Sequence, residues 1–306
     1  MQHPKKRTKN SGFALVTVLW EVVILSIIVL AFSADTRTET TMVRNTIELA
    51  QAKARAQGGI NLAIYGLLDP NPETKWQPDM EPHDVLIDGQ MVTITVQDEG
   101  GKFDLNSAPK EILEKLFAPF YEELEIDISL ADAVMDWRDY DDLKELNGAE
   151  KTDYLEAGLE YRAKNAPFDS IDELRLVLGV TDEIFTMVQP AITVYSQQPE
   201  PDQNTASELV LSMMLDMDDI ALEEIINQRD ISAENGDTFM HSIVNVFTIQ
   251  ATAQNEFGPQ FIQRAVVHLT GNLDQPYKIY EIGRGKNTEA EDEEVDFSEE
   301  VEMEEE

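Results

Sequence analysis

The sequence predicts an α+β protein carried on a long membrane-spanning N-terminal helix, with an antiparallel sheet, a large inserted all-helical domain and a disordered acidic tail. Three observations predict it. From Phe13 to Ala34 the only charged residue is Glu21. Alternating β-type patterns occur at 84–97 and again late in the chain, before the tail. The long stretch between them carries helical spacing instead.

Residues 1–12 form a short basic leader with Lys5, Lys6, Arg7 and Lys9. Residues 13–34, at about 1.5 Å per residue, reach across a hydrocarbon core as a helix. Few positive charges follow closely, so the first residues are expected to stay cytoplasmic and the remainder to be exported. A cleaved secretory signal has a shorter apolar core and a small-x-small site. This run is longer, contains a carboxylate, and offers only Ala31-Phe32-Ser33. A plain membrane anchor is the other alternative. At 35–68 helical spacing continues, with Met42, Val43, Ile47, Ala50, Ala54, Leu62 and Tyr65 as the expected apolar face against a globular domain. Asp69-Pro70-Asn71-Pro72 ends the helix.

In "QMVTITVQ", Val92, Ile94 and Val96 share one strand face. "HSIVNVFTIQATAQ", "QFIQRAVVHLTG" and "PYKIYEIG" give three more strands, separated by "NEFGP" and "NLDQP". Between the two sets, "DLNSAPKEILEKLF" resembles "DQNTASELVLSMML", each with a polar pair ahead of a helix. Thr205 and Glu208 have capping-box spacing. "FDSIDELRLVLGVTDEIFTMVQP" reads as a helical pair turning at Gly179-Val180, similar to helix-hairpin-helix modules. Asp182 and Glu183 beside that turn favour packing over phosphate contact. Residues 287–306 are dominated by acids, with 12 acidic and no basic side chains from Glu289 onward; such a block repels itself and buries nothing.

One stretch has site chemistry. "DWRDYDDLKELNGAEKTDY" crowds Asp136, Asp139, Asp141 and Asp142 together, with Glu150 and Asp153 after Gly148. Crowded carboxylates repel one another unless a cation intervenes, and calcium takes about six to eight oxygen ligands from flexible loops. The spacing is not that of an EF-hand. An acidic loop with Asp caps in a chain acidic throughout explains the same residues without a metal. Trp137 and Tyr140 read as packing residues beside the loop.

The 306 residues carry a formal net charge of −37, which disfavours nucleic acid. There is no Cys, so disulfides, thiolate zinc sites and Cys nucleophiles are excluded, and the four His have no metal-ligand spacing. No HExxH, GxSxG, P-loop or GxGxxG is present. An enzyme is not expected.

A basic leader, Gly12-Phe13 and an unbroken apolar helix resemble type IV prepilin-like proteins. "ALVTVLW", "DEGGKFDLNSAP", "DWRDYDD…NGAE…DY" and "DELRLVLGV" resemble the minor pseudopilin K family of type II secretion, over most of 12–283. The resemblance implies a pilin-like α/β domain from 69–108 and 236–286, with the helical domain 109–235 inserted. It implies cleavage between Gly12 and Phe13 by the prepilin peptidase, and N-methylation of Phe13. It also implies a single-pass inner-membrane protein with its globular part in the periplasm, at the pseudopilus tip with minor pseudopilins I and J, where it helps start assembly and limits growth. Thr17 stands fifth from Phe13, where most such subunits carry Glu, a departure typical of this family; Glu21, one helical turn on, is assigned with it to assembly. Calcium is associated with the family's helical domain, and Asp136, Asp139, Asp141 and Glu150 match its acidic pattern. Lys151, where relatives often carry an acid, departs from it. The rivals are a membrane-anchored helix-hairpin-helix protein of DNA uptake, a minor pilin of a type IV pilus, and an anchored carboxylate hydrolase.

Overall fold

The computed structural model describes residues 11–123, 128–215, 222, 224–227, 229, 244–255 and 258–285. Leader residues 1–10 and the expected acidic tail at 287–306 lie outside them. So does much of 216–243, where the insertion was expected to end.

Helix α1 runs unbroken from Ser11–Leu67. Its first half contains the one span, Leu15–Ser33, that is long and apolar enough among the described residues to cross a membrane. None of that span is buried by the rest of the chain. Polar side chains on α1 are satisfied locally: Ser26 donates to the Val22 carbonyl at 2.7 Å, and Thr46 to Met42 at 2.8 Å. In lipid such back-bonding removes the cost of an orphan hydroxyl.

The second half packs on a sheet, but not through the expected face. Met42, Val43, Ile47 and Tyr65 are exposed; the buried stripe is Ala52, Ala56, Ile60, Ala63 and Leu67, on the opposite side of the helix. Small residues win because they let the helix axis approach the strands. A Cβ at Gly59 would sit 3.1 Å from both Ala251 and Val92, so glycine sets the spacing there. Gly in mid-helix costs about 1 kcal/mol in propensity, offset here by close packing.

The sheet has strand order β1-β2-β5-β6-β7, all neighbours antiparallel. Its members are β1 His83–Ile87, β2 Gln90–Asp98, β5 Val246–Asn255, β6 Gly258–Asn272 and β7 Gln275–Arg284. The single β region expected at 84–97 is a hairpin, turning at Asp88-Gly89 with φ of 52° and 75°. Both positive values suit a two-residue turn matching strand twist. Val92, Ile94 and Val96 face α1, as their alternation predicts, and meet Ile249, Ala251, Ala265 and Val267.

The insertion leaves the sheet at one end. Gln254 lies beside Arg55 and Ala251 beside Gly59, so β5 runs back toward the membrane segment. Its start, Phe247, pairs with Asp98 at the end of β2. The chain therefore departs for and returns from the insertion at the end of the sheet farthest from the apolar span. The insertion has its own core, including Phe103, Leu113, Phe117, Leu130, Trp137, Tyr154, Phe185 and Leu211. Helices α2 Lys110–Glu123, α3 Leu130–Arg138, α4 Lys151–Glu156, α5 Asp182–Val188 and α6 Glu208–Leu215 surround it. One two-residue parallel ladder, β3 Phe103–Asp104 with β4 Ile192–Thr193, ties its start to the segment after α5.

Motif residues act here as clips. Asp104 accepts from the Asn106 and Ser107 amides and, through its other oxygen, from the Gln197 amide at 2.8 Å. Asn106 exchanges two hydrogen bonds with the Phe168 backbone. Arg138 donates to the Leu105 and Ala108 carbonyls. Gly179, at φ 91°, backs onto Ile128 and Leu130, so the hairpin glycine serves packing. The Thr205–Glu208 capping box does not form. Ser207 caps α6 instead, its hydroxyl accepting from the Val210 amide, because a turn from Asp202 already engages the Thr205 and Ala206 amides.

Candidate functional site

The acidic loop joins α3 to α4. Asp136 lies on α3 and is fully buried; Glu150 is the N-cap of α4 and nearly so. Asp136 Oδ1 accepts from the Glu145 amide at 2.9 Å, but Oδ2 has no hydrogen-bond partner among the described residues. Glu150 Oε1 is likewise buried and unpartnered. Unpaired buried carboxylate oxygens are costly, and each asks for an explanation. Burial first, then the charge of Asp136, pushes the Glu150 carboxyl up to about 7. Burial also raises Asp136, with Asp139 and Glu145 adding repulsion. Asp139 is raised by burial and by Asp141 and Glu145.

The other expected ligands have partners. Asp153 closes a capping box with Glu150 and takes an ion pair from Lys144 at 2.5 Å. Burial would raise its carboxyl, but Lys144 and the Glu150 amide outweigh it and hold it low. Asp141 accepts from the Leu143 amide at 2.8 Å, and Asp142 from Asn165 at 3.0 Å. Lys144, Asn165, and the buried Asp132 paired with Lys110 at 2.5 Å were not anticipated; no sequence spacing links 110 to 132. Among the described residues no three acidic or histidine side chains already form a ligand cluster. Two buried oxygens converge on the charge problem, and Asp139 and Asp142 lie within electrostatic reach of Glu150. A cation fits this donor set if loop carbonyls and water complete its shell.

Trp137 packs as expected, against Tyr154 and Phe168. Tyr140 does not: it projects into solvent. Gly148 is required where it is, since a Cβ there would collide with the carboxylate of the buried Asp136. Gly148→Ala is expected to destabilise the protein by about 1–3 kcal/mol, read as a lower denaturation midpoint at unchanged slope.

Thr17 and Glu21 lie exposed on α1, one turn apart. Gly12 and Phe13 fall in its first turn.

Comparison with known proteins points in one direction. The model of the first domain of type II secretion system protein K matches residues 98–197, from the end of β2 through the clips and the acidic loop. Over that stretch the chain is similar to protein K of type II secretion. Type II secretion system protein K of Pseudomonas aeruginosa is 28% identical over 246 residues, covering 73% of each chain. The Klebsiella pneumoniae protein K is 27% identical over 214 residues, 62% of this chain and 64% of that one. In fold, the chain is similar to one in the crystal structure of the GspK-GspI-GspJ complex from enterotoxigenic Escherichia coli. The TM-score is 0.50 at 15% identity, covering 82% of this chain and 99% of that one. The α+β architecture with antiparallel sheet is thus shared with that chain. The curated relatives it matches are named as type II secretion system components.

Proposed function

We propose that this protein caps a periplasmic pseudopilus, helps start its assembly and limits its length during export of folded proteins across the outer membrane. The observation that carries this reading is the site of insertion. A second, separately cored body grows from the end of the sheet farthest from the apolar span, where another subunit would otherwise stack. Bulk there obstructs further addition above it. Helix α1 anchors the chain once in the inner membrane and then exchanges lipid for neighbouring subunits. A carboxylate at membrane depth costs several kcal/mol unless partnered. A subunit with nothing stacked above it has no neighbour's amine to meet, which suits Thr17 at the fifth mature position; Glu21 supports assembly against a polar group below.

The partners are minor pseudopilins I and J, by likeness to the complex cited above, and the prepilin peptidase, which cuts between Gly12 and Phe13 and methylates Phe13. Calcium is held by Asp136 and Glu150 with Asp139 and Asp142. There it neutralises repelling carboxylates and braces α3 against α4; no chemistry on a substrate is implied.

Purified pseudopili test the reading. Mass spectrometry should find the chain beginning at methylated Phe13, and cells lacking it should make longer pseudopili. An intact Met1, or unaltered filament length, contradicts it.

A further inference from the structure

The crest of the acidic loop carries three large apolar side chains that no described residue covers: Tyr140 is 81% exposed, Leu143 77% and Leu146 87%. Single exposed leucines are ordinary on protein surfaces. Three such side chains at every third position of one short loop are not, and none of them contributes to the core below. The loop is also held in place. The Glu145 amide donates to Asp136 at 2.9 Å, the Leu143 amide to Asp141 at 2.8 Å, and the Asn147 amide to Asp132 at 3.3 Å. The Ser129 amide donates to the Asn147 carbonyl at 3.1 Å, and Asn165 donates to Asp142 at 3.0 Å. The apolar side chains are therefore presented outward on a preformed backbone, which lowers the ordering cost of binding.

We propose that this crest docks a protein whose contact face is apolar at its centre and rimmed by Lys and Arg. Charge selects the partner. Asp139, Asp141, Asp142 and Glu145 alternate with the three apolar residues, the one Lys among them, Lys144, is paired with Asp153, and the whole chain carries −37. Complementary charge sets both encounter rate and specificity at such rims. The same collar repels anionic lipid headgroups, so a bilayer is disfavoured. The aromatic and two leucines act as the central anchors, a role aromatic residues often take at interfaces. The crest stands on the hydrogen bonds above and does not rest on a cation being bound beneath it.

The test uses the full chain in its own membrane, with a photo-crosslinking amino acid at 143 or 146. Leu273, 98% exposed at the tip of the β6–β7 hairpin, is the control position. Both loop positions should give an adduct with one protein, and the contact peptide should carry Lys or Arg beside apolar residues. Tyr140→Ser should reduce adduct yield about tenfold, the loss expected of an anchor residue, without moving the melting temperature; Tyr140→Phe should keep it. A lipid adduct, an adduct within the chain, an acidic contact peptide, the same adduct from position 273, or no adduct overturns the proposal.

Discussion

Lys102→Met is expected to destabilise the folded protein by about 3–5 kcal/mol, the cost of leaving a buried charge uncompensated. Lys102 and Glu99 are both almost wholly inaccessible, and their Nζ and Oε1 lie 2.5 Å apart. Glu99 Oε1 also accepts from the Thr248 hydroxyl at 2.6 Å, and Oε2 accepts from the Thr193 hydroxyl. Burial opposes the ionised carboxylate, but Lys102 and these hydroxyls outweigh it and hold the Glu99 carboxyl low. Burial pulls the Lys102 ammonium down, with Glu99 working against it. Thr248 belongs to β5 of the sheet and Thr193 to β4 of the insertion, so one carboxylate ties the two bodies together. Removing both charges together, as Glu99→Leu with Lys102→Met, should cost much less than Lys102→Met alone, since no orphan charge remains. Chemical denaturation of the full chain in detergent measures both. A Lys102→Met midpoint equal to wild type would sink the assignment.

Adding calcium should raise the melting temperature, by about 2.7 kcal/mol of stabilisation at a hundredfold excess over the dissociation constant. The pH dependence identifies the group. Glu150 titrates near its ordinary 4.5 when unfolded and at about 7 when folded. Between those values the folded state holds a proton that the unfolded state has released. In metal-free protein this group's contribution to stability is therefore greatest below pH 4.5 and declines as pH rises through 7. Calcium needs the ionised carboxylate, so the calcium-induced rise in melting temperature should grow from pH 5.5 to pH 8. Glu150→Gln should flatten the metal-free decline and remove the calcium response. Melting curves in calcium and in EDTA, across that range, read both effects. An EDTA-insensitive wild-type melt at pH 8 rules the cation out.

Much of this was legible because local chemistry fixes it. The apolar run with one acid, the alternation at Val92, Ile94 and Val96, and the three late strands needed only periodicity to be read. The acidic loop was visible as crowding, but its division of labour was not. Asp153 differs from Glu150 because Lys144 and the Glu150 amide reach it, and Asp132 entered through Lys110 on another helix. The face of α1 was misjudged for a related reason. Bulk and spacing favoured Met42, Val43, Ile47 and Tyr65, whereas burial followed Ala52, Ala56, Ile60 and Ala63, whose small size admits the sheet. Tyr140 likewise looked like packing, and only the fold shows it outward.

The sequence by itself determined what lies within a few residues of each position: the length of the apolar helix, the alternation of the strands and the charge of the loop. Those properties follow from side-chain chemistry and backbone period. Tertiary structure alone decided which face of α1 is buried, where the insertion leaves the sheet, and which acids have a counter-ion. Each depends on groups brought together from distant parts of the chain, as Glu99 meets Thr193 and Thr248, and local periodicity carries no record of such meetings.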